Sequence, residues 1–197
     1  MRRRAPRRVK LDPDLRLSMA GDVYAPSDDS CLLLAAVEVA PGDRVLEVGT
    51  GTGFIALHAA SVGRVVATDV SPEAVRLARA NAIANRRTLA PVRCDLLRGL
   101  RGAFDVIVFN PPYLIDRIGG DWVERAWQGG VTGDEVIARF LEQAPPHLAP
   151  AGRIYLLVPE RREHALALAK ERFRVRVVAE RRLFFERLLV LELTHPR

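Results

Sequence analysis

Four groups of residues along this chain could hold a small ligand together. Glu47-x-Gly49-x-Gly51-x-Gly53 follows an apolar run, and glycines spaced this way let backbone approach a ligand and turn tightly into a helix. Asp69 ends the next apolar run, 20 residues after Gly49, the offset at which a carboxylate commonly accepts hydrogen bonds from a ribose diol. Asp95 follows a third run, and Asn110-Pro111-Pro112-Tyr113 a fourth. Each group has a plain alternative: a tight strand–helix turn for the glycines, a cap or turn for each aspartate, a proline-stopped strand for the tetrad. If all four stand at one edge of a sheet, a nucleoside-containing cofactor is expected. A dinucleotide fingerprint needs glycine at the sixth position counted from Gly49, where Phe54 stands, and no Gly-Lys-Ser/Thr phosphate loop occurs.

The surrounding pattern supplies such a sheet. Strands are expected at 44–48, 65–68, 91–94, 104–109, 153–158, 175–179 and 188–193. Helices are expected after Ser27-Asp28-Asp29 through Cys31 to about Val39, over 54–61, from the Ser71-Pro72-Glu73 start signal, near 134–143 and over 160–172. Alternation with short connections makes this an α/β, Rossmann-like, seven-stranded and mostly parallel sheet, and the last two strands form an antiparallel hairpin. Ligands of such sheets bind beyond the carboxyl ends of the strands, near the switch point. Residues 114–133 hold five glycines and two tryptophans without a period, as a functional or mobile loop would.

Composition bounds the rest. The 197 residues are 49% hydrophobic, enough for one globular domain. Residues 1–10 carry six of the 30 basic residues and no acid, so the remainder balances at 24 against 24. We expect residues 1–20 to form a basic, flexible arm on a single domain at 21–197. The arm is either a solvated end or a contact for RNA. No apolar run is long enough to span a membrane and no secretory pattern follows the basic start, which predicts a cytoplasmic protein. Cys31 and Cys94 read as small buried hydrophobes, and the four histidines lack ligand spacing, so no metal is expected.

Taken together, Glu47-x-Gly49-x-Gly51, Asp69, Asp95 and Asn110-Pro111-Pro112-Tyr113 resemble the class I S-adenosylmethionine-dependent methyltransferases. The tetrad is similar to that of enzymes methylating a planar exocyclic or amide nitrogen. Val23-Tyr24-Ala25-Pro26-Ser27-Asp28-Asp29-Ser30 and Ala126-Trp127-Gln128-Gly129-Gly130 resemble segments of the HemK-type protein glutamine methyltransferases, in their short archaeal and eukaryotic form. The resemblance covers about residues 20–195. Asp28 stands where that family typically has Glu, and Ser30 where Thr is common.

The resemblance implies S-adenosylmethionine as cofactor and the Gln of a Gly-Gly-Gln motif in a peptide-chain release factor as substrate. It implies that Asp69 takes the ribose, Asp95 and Leu96 the adenine, and Glu47 and Gly49, with Gly51, the methionine moiety. Tyr24 and Ser30 would cover the cofactor, and Asn110 would touch it as well. Asn110, Pro111, Pro112 and Tyr113 would be catalytic. Asn110 and the Pro111 carbonyl accept the amide N–H groups, and Tyr113 packs on the flat amide. Glu124 and Trp127 could form a substrate lid, or the tryptophans could simply pack the loop on the core. A small zinc-binding activator subunit is implied at the edge formed by the strand at 89–94. The same tetrad serves RNA or DNA base methylation and lysine methylation, which stay open as alternatives, as does a non-catalytic scaffold.

Overall fold

The computed structural model describes residues 4–21, 23–112, 134–183 and 186–196. In chain order the elements are β1 (Arg7–Arg8), α1 (Asp28–Ala36), β2 (Glu38–Val39), β3 (Arg44–Val48), α2 (Phe54–Ala59), β4 (Arg64–Asp69), α3 (Pro72–Ala84) and β5 (Leu89–Arg93). After these come β6 (Phe104–Phe109), α4 (Asp134–Gln143), a 3-10 turn (Pro145–His147), β7 (Leu148–Pro159), α5 (Glu163–Arg172), β8 (Arg174–Leu183) and β9 (Glu186–Thr194). None of the described helices is long and apolar enough to cross a membrane.

Seven strands form one sheet in the order β5-β4-β3-β6-β7-β9-β8. The first five in that order run parallel, and β9 lies antiparallel between β7 and β8. β6 sits in the middle and is buried at all six positions, as a strand covered on both faces must be. β5 is an edge strand, where Pro91 costs no ladder bond. Alternate side chains feed two apolar layers. Leu46, Val48, Ile107 and Phe109 face α4 and α5, with the Phe109 and Phe140 rings 4.8 Å apart. Val45, Val106 and Val108 face α1 and α2.

The strand order reverses between β3 and β6, which is the switch point. Register sets the height of the strand ends there. Val48 lies opposite Thr68 on one side and Phe109 on the other, and Asp69 lies opposite Arg93. Gly49, Asp69, Cys94 and Asn110 therefore leave the sheet at one level. Gly53 holds φ +85°, and a Cβ there would lie 3.3 Å from Ala78, so only glycine lets α2 begin this close to α3.

Three expectations need correction. The first helix ends at Ala36 rather than near Val39, because Glu38–Val39 pairs antiparallel with Arg7–Arg8. β-Branched Val37 and Val39 suit extended backbone, and both are buried with Val9 in the apolar layer. Among the described residues the basic segment expected to be flexible is docked at 7–9, although Arg7 and Arg8 keep their side chains exposed. Cys31 is exposed, because it lies on the outer side of α1; Cys94 is buried as expected.

A second docking holds the segment further along. Asn81 Oδ1 accepts the Ser18 N–H at 2.8 Å, and its Nδ2 donates to the Ser18 and Thr52 carbonyls at 3.1 and 2.9 Å. One turn later Asn85 accepts from Arg16 N–H and donates to Arg16 carbonyl, at 2.8 and 2.6 Å. Two side chains four residues apart thus imitate a strand partner for alternate residues of the segment. Asn81 is fully buried. Asn81→Ala leaves the Thr52 carbonyl and both Ser18 backbone groups without that partner. We expect a stability loss of about 2–3 kcal/mol, read by thermal or urea unfolding. Unchanged unfolding would remove this role.

Candidate active site

Beyond β3 the chain turns through Gly49 and Gly51, at φ +65° and +53°. A Cβ on Gly49 would be in van der Waals contact with the Phe109 ring at 3.5 Å, and one on Gly51 would stand 3.6 Å from the Tyr24 carbonyl. The turn is therefore sandwiched between the end of β6 and the segment leading into α1. Glu47 points into the α2 side, only 5% exposed. Its Oε2 accepts the Thr50 hydroxyl at 2.5 Å and the Ala56 N–H at 3.0 Å. Burial nevertheless prevails, and the carboxyl is pushed up to about 8. Asp69 Oδ2 accepts the Gly51 N–H at 3.0 Å and Oδ1 accepts the Ser71 N–H at 2.9 Å. Burial raises its proton affinity too. Each oxygen keeps a second lone pair for a hydroxyl.

Asn110 follows β6 directly. Its Nδ2 donates to Asp29 Oδ2 at 3.1 Å, and its Oδ1 is buried without a hydrogen-bond partner among the described residues. Pro111 is buried and Pro112 exposed. Asp29, at the start of α1, is 2% exposed. Its Oδ1 accepts from Ser27 Oγ at 2.8 Å, Ser30 N at 2.5 Å and Ser30 Oγ at 3.1 Å, and its Oδ2 also accepts the Tyr24 hydroxyl at 3.1 Å. Tyr24, Ser30, Asn110 and the glycine turn are thus joined through one carboxylate and one backbone contact.

On the other side of the site, Cys94 N–H donates to the Asp69 carbonyl at 2.8 Å, which sets Asp95 beside Asp69. Asp95 pairs with Arg139 of α4. Leu96 holds φ +53°, a left-handed backbone rare for a leucine, with its side chain in the core. Glu47, Gly49, Gly51, Asp69, Asp95, Leu96, Asn110, Tyr24 and Ser30 are therefore gathered at one end of the sheet. Tyr113, Glu124 and Trp127 lie outside the described residues.

The methyltransferase small domain model matches residues 25–185. The chain belongs to this family as a HemK-type class I methyltransferase. A Methanocaldococcus jannaschii chain named as a protein N5-glutamine methyltransferase is 34% identical over 185 residues, spanning 90% of this chain and 94% of that one. The methyltransferase HEMK2 of Mus musculus is 39% identical over 152 residues, 69% of this chain and 71% of that one. Among solved structures, the E. cuniculi Mtq2–Trm112 complex, described as methylating the eRF1 translation termination factor, superposes with a TM-score of 0.68. It is 29% identical and the match covers 89% of this chain and 99% of that one.

Class I methyltransferases take their methyl group from S-adenosylmethionine, and the residues fit that cofactor. The glycine turn brings backbone N–H groups forward, Asp69 keeps lone pairs for hydroxyls, and the buried Glu47 carboxyl has no cation beside it among the described residues. Four contributors to this HemK-type site escape a reading of the sequence. Asp29 stands beside Asp28, and two acids at a helix start look alike as dipole caps; in the fold Asp28 is 59% exposed and pairs with Arg181 at 3.1 Å, while Asp29 is sealed in. Thr50 and Arg139 carry no local signal at all. Asn81 does: the chain has only three asparagines, and one stands inside α3, in a helix interior that asparagine does not favour, four residues before a second at the C-cap.

Proposed function

We propose that this chain methylates the side-chain amide nitrogen of the glutamine in a Gly-Gly-Gln segment of a peptide-chain release factor. The observation that carries the reading is Asn110, a half-buried amide whose buried carbonyl oxygen is left without a partner among the described residues, beside a glycine turn. That oxygen suits a planar NH2 donor. A side-chain amide is a poor nucleophile, because its lone pair is delocalised into the carbonyl. Two acceptors, Asn110 Oδ1 and the Pro111 carbonyl, fix the amide plane and favour positive charge building on nitrogen. S-adenosylmethionine, held by the glycine turn and Asp69, would supply a methyl group on a sulfonium for in-line transfer to that nitrogen, the C–S electron pair leaving on sulfur. The substrate nitrogen sheds one proton to water.

In this reading Asp69 holds the ribose hydroxyls, Asp95 and the Leu96 backbone meet the adenine, and Glu47, Gly49 and Gly51 receive the methionine part. Tyr24 and Ser30 close the site from α1, while Tyr113, Glu124 and Trp127 complete the substrate side. A release-factor substrate supports a cytoplasmic location.

The β5 edge supports a small zinc-binding partner subunit. Its outer backbone is unpaired among the described residues, and Val70, Val92 and Ile83 are exposed next to it, Ile83 by 74%. The E. cuniculi relative is a complex with Trm112.

The decisive experiment incubates the chain with labelled S-adenosylmethionine, offering release factor or RNA, with and without such a partner. Mass spectrometry is expected to place one methyl group on the Gly-Gly-Gln glutamine. Label found only in RNA would overturn the reading, and full activity from the chain alone would remove the partner.

A further inference from the structure

We propose that Asp29 is a positioning residue that sets which way the Asn110 amide faces, and through it the kind of substrate group the site accepts. The inference rests on the functional reading above and adds a residue and a cause to it.

An asparagine amide presents a carbonyl on one side and an NH2 on the other, and the two sides have nearly the same shape. At the end of β6 backbone geometry alone leaves both orientations open. A carboxylate beside the amide decides between them, because it can only accept. Asp29 Oδ2 lies 3.1 Å from Asn110 Nδ2, so the NH2 must turn toward Asp29 and the carbonyl toward the site. The reverse orientation would set two acceptor oxygens against each other in a buried place.

Asp29 is itself held in place. Ser27 Oγ, Ser30 N–H and Ser30 Oγ approach Oδ1, and the Tyr24 hydroxyl approaches Oδ2 beside Asn110. These donors stabilise the charged, acceptor-only form and fix its rotamer. They all come from residues 24–30, far in sequence from β6, so the start of α1 dictates the polarity of a group 81 residues away. The consequence is chemical. With the carbonyl forward, the site takes an N–H donor such as a carboxamide NH2; with the NH2 forward, it would repel that donor and hold an acceptor.

The test is a polarity swap. Asp29→Asn lets the partner donate as well as accept, so Asn110 loses its enforced orientation. Asn110→Asp sets two carboxylates face to face. In Asp29→Asn/Asn110→Asp the hydrogen bond returns with donor and acceptor exchanged, and the second carboxylate oxygen at position 110 again faces the site as an acceptor. Turnover of the release-factor glutamine is expected to fall by at least about tenfold in each single variant, as loss of a charge-assisted hydrogen bond would give. The double variant is expected to recover about tenfold over Asn110→Asp. A purely structural carboxylate would not be rescued this way. Wild-type turnover in Asp29→Asn, or a double variant no better than the worse single one, would overturn the proposal.

A second measurement needs neither turnover nor variants at position 29 that fold. In nitrogen-15 spectra of the wild-type chain, the Asn110 side-chain NH2, assigned through its disappearance in Asn110→Asp, is expected to exchange slowly with water. Exchange as fast as that of an exposed amide would refute the Asp29 contact. Failure of the wild-type chain to methylate any release factor would count against the functional reading instead, and the exchange measurement would still decide the role of Asp29.

Discussion

Asn110→Ala is expected to lower turnover of the release-factor glutamine by about 10²–10³, the scale of removing one preorganised polar group from a buried reaction centre. The substitution takes away the acceptor that grips the substrate NH2 and leaves the Pro111 carbonyl alone to fix the amide plane. It takes little from the fold. Asp29 keeps Ser27, Ser30 and Tyr24 as donors, Phe109 keeps its packing on Phe140, and β6 ends before the altered residue. In the proposed reading Asp69, Asp95 and the glycine turn hold the cofactor, and their own contacts do not pass through the Asn110 side chain. Steady-state kinetics with calorimetry of S-adenosylmethionine binding separates the two: kcat is expected to collapse while cofactor affinity is largely kept. An Asn110→Ala chain that turns over at the wild-type rate would contradict the assigned chemistry, and parallel loss of binding and turnover would make Asn110 a cofactor residue only.

Much of this arrangement was legible in the sequence, for a physical reason. Central parallel strands are buried on both faces, so 44–48 and 104–109 read as mostly apolar runs, broken inside only by Glu47 and Asp105, and the residues just past them are fixed by topology to one sheet edge. Gly49, Asp69, Asp95 and Asn110 needed no more than that, because a strand end is a one-dimensional property of the chain. Position relative to a distant segment is different. Asp29 meets Asn110 across 81 residues, Asn81 meets Ser18 across 63 and Arg139 meets Asp95 across 44, and none of these distances leaves a local period. Asp28 and Asp29 show the limit best. Adjacent and alike in sequence, they point about a hundred degrees apart around α1, one to solvent and Arg181, the other into the site. The docked basic segment was hidden for a related reason: a two-residue strand such as Arg7–Arg8 is decided by its partner Glu38–Val39 and by the burial of Val9, not by its own composition.

Stability and cofactor binding are both expected to depend on pH through Glu47. Burial is the largest influence on this carboxyl, and the charge of Asp69 adds to it; the Thr50 hydroxyl and the Ala56 N–H oppose them and lose. The folded chain thus holds the proton until about pH 8, while the unfolded chain releases it near the ordinary 4.5. Between those values the folded state binds more protons, so stability contributed by this group is complete below the lower value and is lost as pH rises through the upper one. At pH 7 the loss amounts to about 3 kcal/mol, or roughly 6–12 °C in melting temperature for a chain of this size. Glu47→Gln is neutral throughout and is expected to flatten the melting profile between pH 5 and 8; the slope that survives belongs to Asp69, whose shift has the same sign, and to His58, whose burial lowers its proton affinity and tilts the profile the other way. Parallel profiles for the two chains would show that Glu47 is already ionised in the fold. With Glu47 in the proposed cofactor site, the cationic charge that arrives with S-adenosylmethionine favours the carboxylate. Binding is then expected to tighten from pH 6 to 8 and to release close to one proton near pH 7, measured by calorimetry in buffers of different ionisation enthalpy. Glu47→Gln should release none. Equal proton release from both chains would take Glu47 out of the cofactor site while leaving the burial argument intact.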